Sequence, residues 1–414
     1  MTQTKQTIAI VGAGLVGLSC AIWLQKKGFP IVLIDPEGPG SGTSSGNACT
    51  IADYATVPVN NPSIFRRLPS LIFSKNTPLT LDPWYALTHP DWSFRFLSNC
   101  RQAKVKAISD SLAELLAKTY QGFSPLIEMT GTEDLIQQQG CMYVYKTQQE
   151  FDAARTANDR RKALGISLQE VSSDEIRELE PKMTMRFEKG ILFDQASQVL
   201  NPETLCQRYF KFLLDNNSQY IRAKAQNVEV SDHHIRVQLD NGDSIKVNKL
   251  VVAAGAFSRS VTGTGAEKLP LDTERGYHVQ FNGVQHLLNR PVSWNEAGFY
   301  ATPMNEGLRF AGTVEIGGYH NRKNSKNITY LIRHARQMFD LPEQPDQDWL
   351  GFRPTFPDAL PVIDYSPRSK NILFAFGHQH IGLTLSGITG KLIAELANNE
   401  KPSHNINSFR ASRF

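Results

Sequence analysis

Cysteine is scarce and badly placed for any shared task. The chain holds five, Cys20, Cys49, Cys100, Cys141 and Cys206, an odd number scattered over 414 residues with no C-x-x-C. That argues against a disulfide framework, leaves no spacing for a zinc site (no metal is expected), and fits a reducing cytoplasm. No apolar run approaches the roughly 18 residues needed to span a bilayer. The opening residues Met1 to Gln6 lead straight into a strand-like segment, without the apolar stretch and small-residue cleavage site of a signal peptide. A Lys/Arg block is also missing, and a net charge of +4 is too small a bias on this length to argue for nucleic acid. Internal repeats, low-complexity tracts and flexible linkers are absent. What remains is an ordinary globular composition, 41% hydrophobic and 20% charged, long enough for two domains.

The most informative stretch comes first. Thr7 to Val11 is a short, largely β-branched run that reads as a buried strand, and Ile31 to Ile34 is a second. Between them Leu15 to Lys27 carries apolar residues at helical spacing and stops at Gly28. Strand, glycine turn, helix, strand is a βαβ unit with a parallel strand pair. Its turn, Gly12-Ala13-Gly14-Leu15-Val16-Gly17, is a G-x-G-x-x-G in the context that makes the motif meaningful. Gly12 allows the tight turn, Gly14 lets the backbone approach a pyrophosphate, and Gly17 permits close helix–strand packing. The uncapped N–H groups and dipole at the helix start attract phosphate. Asp35, followed by Pro36, closes the second strand and can bind a ribose hydroxyl. The motif alone does not separate FAD from NAD.

Further along, long helical patterns occupy Trp92–Tyr120 and Gln148–Leu164, and a strand-like Cys141–Tyr145 lies between them. Pro202 to Leu214 reads as a helix with Asn201 as N-cap. Strands follow at Asn227–Val230, Ile235–Leu239, Ser244–Val247 and Leu250–Ala253, the middle two joined as a hairpin by Asp240-Asn241-Gly242-Asp243. A helix near Ile328–Phe339, a strand at Ile372–Ala375 and a last helix over Leu383–Ala397 complete the pattern.

Five segments together resemble the D-amino-acid oxidase and glycine oxidase superfamily, most nearly its bacterial D-amino-acid dehydrogenase and D-hydroxyproline dehydrogenase branch. The first is the small-residue loop Gly40 to Ala48, including Thr43, Ser44, Ser45 and Asn47, which in such enzymes wraps the flavin. The second is Leu250 to Ser258, with Ala254 and Gly255 in its glycine turn, preceded by a strand whose Val228 resembles an adenine contact. The third, Gly351-Phe352-Arg353-Pro354, resembles a segment whose arginine binds the substrate carboxylate; a planar guanidinium suits that task because it makes two parallel hydrogen bonds. The fourth, Phe376 to Thr384, resembles the turn beneath the flavin pyrimidine, implicating Gly377, His378, Gly382, Leu383 and Thr384. There His380 is either an active-site or a structural histidine. The fifth is Thr273 to Val279 with Tyr300-Ala301-Thr302-Pro303 downstream. Tyr277 is either a substrate ligand or a sheet tyrosine packing across strands, and Tyr300 and His278 are further candidates.

The resemblance covers nearly the whole chain, most loosely over residues 56–188, and Asn60–Cys100 has no clear counterpart. It implies an α/β chain, α+β overall, with a Rossmann-like FAD-binding domain (1–55, 200–268 and 350–414) interleaved with a mixed-sheet substrate-binding domain (56–199 and 269–349). It implies non-covalent FAD, since no clear attachment residue is visible. The implied activity is oxidation of the Cα–N bond of a small amino acid, of D configuration and including D-proline or hydroxy-D-proline, with electrons passed to a quinone or carrier protein. In the roles so implied, Arg353, Tyr277 and His380 are the catalytic candidates; these three and Tyr300 contact substrate, and Arg353 also touches the cofactor. Competing readings are a 2-hydroxy-acid dehydrogenase, a weakly active flavoprotein subunit of a larger complex, and an NAD-only enzyme. Trp84 to Lys106 mixes aromatics with bases. It reads either as a patch that docks on the inner face of an anionic membrane or as a substrate-domain helix whose bases snorkel.

Overall fold

The computed structural model describes residues 6–58, 60, 62, 77–232 and 234–414. The first five residues, and 63–76 within the stretch that lacks a counterpart, lie outside the described residues. A six-stranded sheet runs in the order Gln219–Ile221, Ile31–Ile34, Ile8–Val11, Lys249–Val252, Ser369–Phe376, Val362–Ser366. All its pairs are parallel except the last. The central strands read as unbroken apolar runs because both faces are covered. On one face helices Leu15–Lys26 and Gly382–Ala397 bury Leu18, Leu24, Leu385 and Ile393. On the other, Ala9, Val11, Leu250 and Val252 pack against a three-stranded sheet that contains Val228, Ile235 and Val237.

The second large sheet has nine strands and is mixed. Gln347–Thr355, Asp272–Asn282, Gly307–Ile316 and Phe299–Pro303 are consecutive antiparallel neighbours in it, and the farther strands include Cys141–Tyr145 and Lys189–Phe193. The segment bearing Arg353 belongs to this sheet, so the boundary drawn at residue 350 falls inside a strand. The fold is the α/β mixture that the sequence implied, with each large sheet assembled from separated pieces of chain.

Local signals worked where they were chemically specific. Asn201 accepts the Thr204 N–H at 3.0 Å and caps Pro202–Asp215, and Ile235–Leu239 pairs with Ser244–Val247 as a hairpin. The single long helix expected over Trp92–Tyr120 is instead three, Pro90–Asn99, Gln102–Leu116 and Thr119–Thr130. Arg101 is extended (ψ 140°) between the first two. Trp92, Phe96 and Cys100 form their own small cluster, while Ile108, Leu112 and Leu115 join the core beneath the six-stranded sheet. One straight rod could not serve both. The Gln148–Leu164 pattern likewise divides, into Gln148–Ala153 and Arg155–Ala163. Trp84, Leu87 and Phe94 stand out, 75%, 73% and 72% exposed. No helix among the described residues is long and apolar enough to cross a membrane.

Candidate active site

A cavity of about 900 Å³ runs between the two large sheets, from the first glycine turn to the strand that carries Arg353. At its first end, Gly12 leaves the opening strand with φ +109°, and a Cβ there would lie 2.4 Å from the Ala253 carbonyl oxygen. A Cβ on Gly17 would lie 2.0 Å from the Gly12 oxygen, so this glycine serves helix packing and does not itself line the cavity. Gly14, Leu15 and Val16 do. The helix they open has no side-chain cap at Gly14 and no acid in its first turn. It therefore presents N–H groups and a positive dipole end to whatever fills the space. Asp35 and Pro36 line the same end. The Asp35 carboxylate accepts from the N–H groups of Ala13, Glu37 and Gly38 at 2.8, 2.9 and 3.0 Å. It shapes the turn and keeps a lone pair over for a hydroxyl.

The Gly40–Ala48 loop lies over this cradle. Ser44 Oγ accepts the Leu15 N–H at 3.0 Å, and the Thr43 hydroxyl donates to the Phe352 carbonyl at 2.8 Å. Thr43, Ser44, Asn47 and Ala48 line the cavity. Ser45 does not: its hydroxyl turns back to the Gly42 carbonyl at 3.1 Å. Ala254 and Gly255 line the cavity, whereas Val228 is buried in the sheet beyond, and Lys224 and Ala225 take the place expected for it. Gly382 and Leu383 face inward at the start of the last helix. Two expected neighbours do not. Gly377 (φ +88°) makes the turn against the Phe356 ring, and Thr384 spends its hydroxyl oxygen on the Ala52 N–H at 2.9 Å. His378 lines the cavity, but its Nε2 is braced by the Thr389 hydroxyl at 2.9 Å, and burial pushes its pKa down to about 3.

At the other end, Arg353 faces the cavity, and the sheet explains how it is held. Arg275 pairs with Glu315 and Tyr277 with Gly312, so Gly276 stands opposite two residues, a β-bulge in which Thr313 has φ +50°. The carbonyls of Gly312 and Thr313 accept from the Arg353 guanidinium at 3.4 and 2.9 Å. To reach them the side chain crosses over Gly276, where a Cβ would lie 2.4 Å from Arg353 Cζ. His380 projects into the cavity and keeps accessible surface there; the protein around it, and then Arg353, push its imidazole pKa down to about 4, so it is neutral near pH 7. Tyr300 lines the cavity and shares a 2.8 Å hydroxyl–hydroxyl hydrogen bond with Tyr143.

Tyr277 is the clear correction. Its ring is 1% exposed and does not reach the cavity; its hydroxyl donates to Glu315, beside Arg275, whose guanidinium lies 2.9 Å from the same carboxylate. Strand side chains alternate faces, so residues 274, 276 and 278 point one way and Arg275 and Tyr277 the other. We expect Tyr277→Phe to lower unfolding free energy by about 1–3 kcal/mol without altering the cavity's ligands, as urea unfolding and ligand titration would show. Changed ligand affinity at unchanged stability would refute this placement. The same alternation could have picked out Glu274, which does line the cavity, as do Arg161, Tyr143 and Gln379. Arg161 has no comparable local signal, because its helix is brought to the site only by the packing of the second sheet.

The cavity fits a flavin dinucleotide by its own features: a helix start whose N-cap glycine supplies no side chain, a small-residue loop bolted over it through Ser44, and a buried Gln379 Nε2 without a partner. A βαβ cradle that shares one cavity with a guanidinium-bearing sheet is the layout of a dinucleotide-dependent oxidoreductase. The chain belongs to the FAD-dependent oxidoreductase family, which matches residues 7–396, and FAD is its cofactor. It is 32% identical to the D-amino-acid oxidase of Bradyrhizobium diazoefficiens over 98% of each chain. It is 25% identical to the D-amino acid dehydrogenase of Paramagnetospirillum magneticum, again over 98% of each. Its fold is that of glycine oxidase from Geobacillus kaustophilus, with a TM-score of 0.73 at 19% identity over 99% of both chains.

Proposed function

We propose that this chain is an amino-acid dehydrogenase that oxidises the Cα–N bond of a small D-amino acid, proline-type substrates included, and passes the electrons to a quinone or carrier. The observation that carries the reading is the Arg353 guanidinium, fixed on two carbonyls of a β-bulge and facing the same cavity as the dinucleotide cradle. FAD, bound non-covalently, supplies the two-electron acceptor. The chain's own contribution is positional. Gly12, Gly14 and the helix start hold the diphosphate, the Gly40–Ala48 loop and the Gly382 turn hold the ring, and Arg353 pins the carboxylate so that Cα is presented in one orientation. Neutral His380 and Tyr300 line the same end and exclude water from the reacting carbon. An open-chain imine product hydrolyses to a keto acid and ammonia, and a proline-type substrate leaves a cyclic pyrroline.

The test is anaerobic bleaching of the flavin by D- and L-amino acids, both hydroxyproline epimers and 2-hydroxy acids, followed by turnover with an artificial acceptor and with dioxygen. Bleaching by D-amino acids and slow turnover with dioxygen are expected. Bleaching by hydroxy acids alone would replace this reading with a 2-hydroxy-acid dehydrogenase.

Gly276→Ala bears on the same point. The atoms in its way are the movable end of Arg353, so the fold is expected to hold while the guanidinium is displaced. A loss on the order of a hundredfold in kcat/KM with an unchanged melting temperature is the expected pattern; unaltered kcat/KM would show that the guanidinium's position is not what matters.

A further inference from the structure

We propose that Glu274 is the second half of a zwitterion clamp, accepting hydrogen bonds from the α-nitrogen of an amino acid whose carboxylate Arg353 holds. This rests on the amino-acid reading above and deepens it: the site selects substrates that carry both charges over plain carboxylates and 2-hydroxy acids.

Glu274 and Arg353 are direct cross-strand partners, and both line the cavity. The guanidinium lies over Gly276, on the same face of that strand as Glu274 and two residues along, so a cation and an anion are offered to one small dipolar molecule in the same cavity. The two do not consume each other. Arg353 gives its hydrogen bonds to the Gly312 and Thr313 carbonyls, and Glu274, only 1% exposed, has an Oε2 with no hydrogen-bond partner. A buried carboxylate oxygen without a donor is costly, and a ligand N–H would remove that cost. A 2-hydroxy acid offers one neutral donor there, and a simple carboxylate offers none.

The ionisation of the group suits the role. Burial raises the Glu274 pKa to about 7, against a lowering by Arg353. Ionised, it accepts from an ammonium. If one ammonium proton passes to it, both charges disappear together, and the nitrogen keeps the lone pair that must be free before hydride leaves Cα.

The experiment uses the flavin-loaded protein and follows perturbation of its visible spectrum, or its bleaching, to obtain Kd for two matched pairs: D-alanine with propionate, and D-proline with cyclopentanecarboxylate. In Glu274→Gln the amino-acid Kd is expected to rise about tenfold to a hundredfold. The carboxylate Kd should stay level or fall, because Arg353 no longer shares its charge with a neighbour. A general packing defect would weaken both members of a pair. Glu274→Asp should recover part of the preference for the amino acid. Equal weakening of both members, or no change in either, would overturn the clamp while leaving the amino-acid reading intact, provided Arg353→Leu still abolishes binding of all four. If none of the four ligands affects the unsubstituted protein, both ideas fall together.

Discussion

Replacing Arg353 by leucine is expected to lower kcat/KM for the best amino acid on the order of a thousandfold, equivalent to about 4 kcal/mol, while the purified protein stays yellow. Two losses add. The carboxylate loses a charged, two-pronged donor, and Glu274, directly across the strand pair, is left as a buried acid without the cation beside it. Flavin is expected to remain because the dinucleotide end is built from other elements: the first glycine turn, the Gly40–Ala48 loop and the last helix. Steady-state kinetics with the absorbance ratio of bound flavin checks both halves. Kinetics close to those of the unsubstituted enzyme would remove the carboxylate role altogether.

The second large effect concerns the cradle. Gly14 is extended (φ −74°, ψ 176°), a conformation alanine adopts freely, and a Cβ there would meet only Ser44 Oγ, at 3.0 Å. Gly14→Ala should therefore fold. It should nevertheless hold FAD about tenfold to a hundredfold less tightly, because the methyl group occupies the approach to the helix N–H groups and disturbs the Ser44 contact with Leu15. Gly12→Ala is expected to differ in kind: with φ +109° and backbone 2.4 Å away, it should destabilise the protein itself. Measuring flavin affinity and urea midpoint for both variants separates binding from folding. A Gly14→Ala protein with unchanged flavin affinity would mean that the diphosphate lies elsewhere.

The dinucleotide end was legible because it is local. Strand, turn, helix and Asp35 lie within one short stretch of chain, and each requirement has its own residue type: glycine where φ is positive or a Cβ would collide, an acid where amides converge. Gly17 packs its helix against the turn and lies off the cavity lining, so a cofactor contact does not follow from its place in the motif. Where residues were grouped by a shared loop or strand, individual side chains went astray. Ser45, Gly377 and Thr384 satisfy hydrogen bonds or turns of the protein's own, and Val228 sits beyond the strand end that reaches the cavity.

The substrate end shows the opposite case. A strand motif locates a neighbourhood, but which side chain enters the cavity depends on the pleat, and a shift of one residue moves it to the other face. Reading Thr273 to Val279 as a unit favoured the chemically attractive Tyr277, and the pleat turned Glu274 inward instead. By itself the chain's order of residues determined the βαβ cradle, the apolar central strands and the presence of an arginine suited to a carboxylate. Only the tertiary structure decided that Gly276 and a bulge at Thr313 aim that arginine, and that a buried acid with one oxygen lacking a hydrogen-bond donor stands near it. Bulges, cross-strand register and burial are relations between segments that meet only after folding, so no single segment carries them.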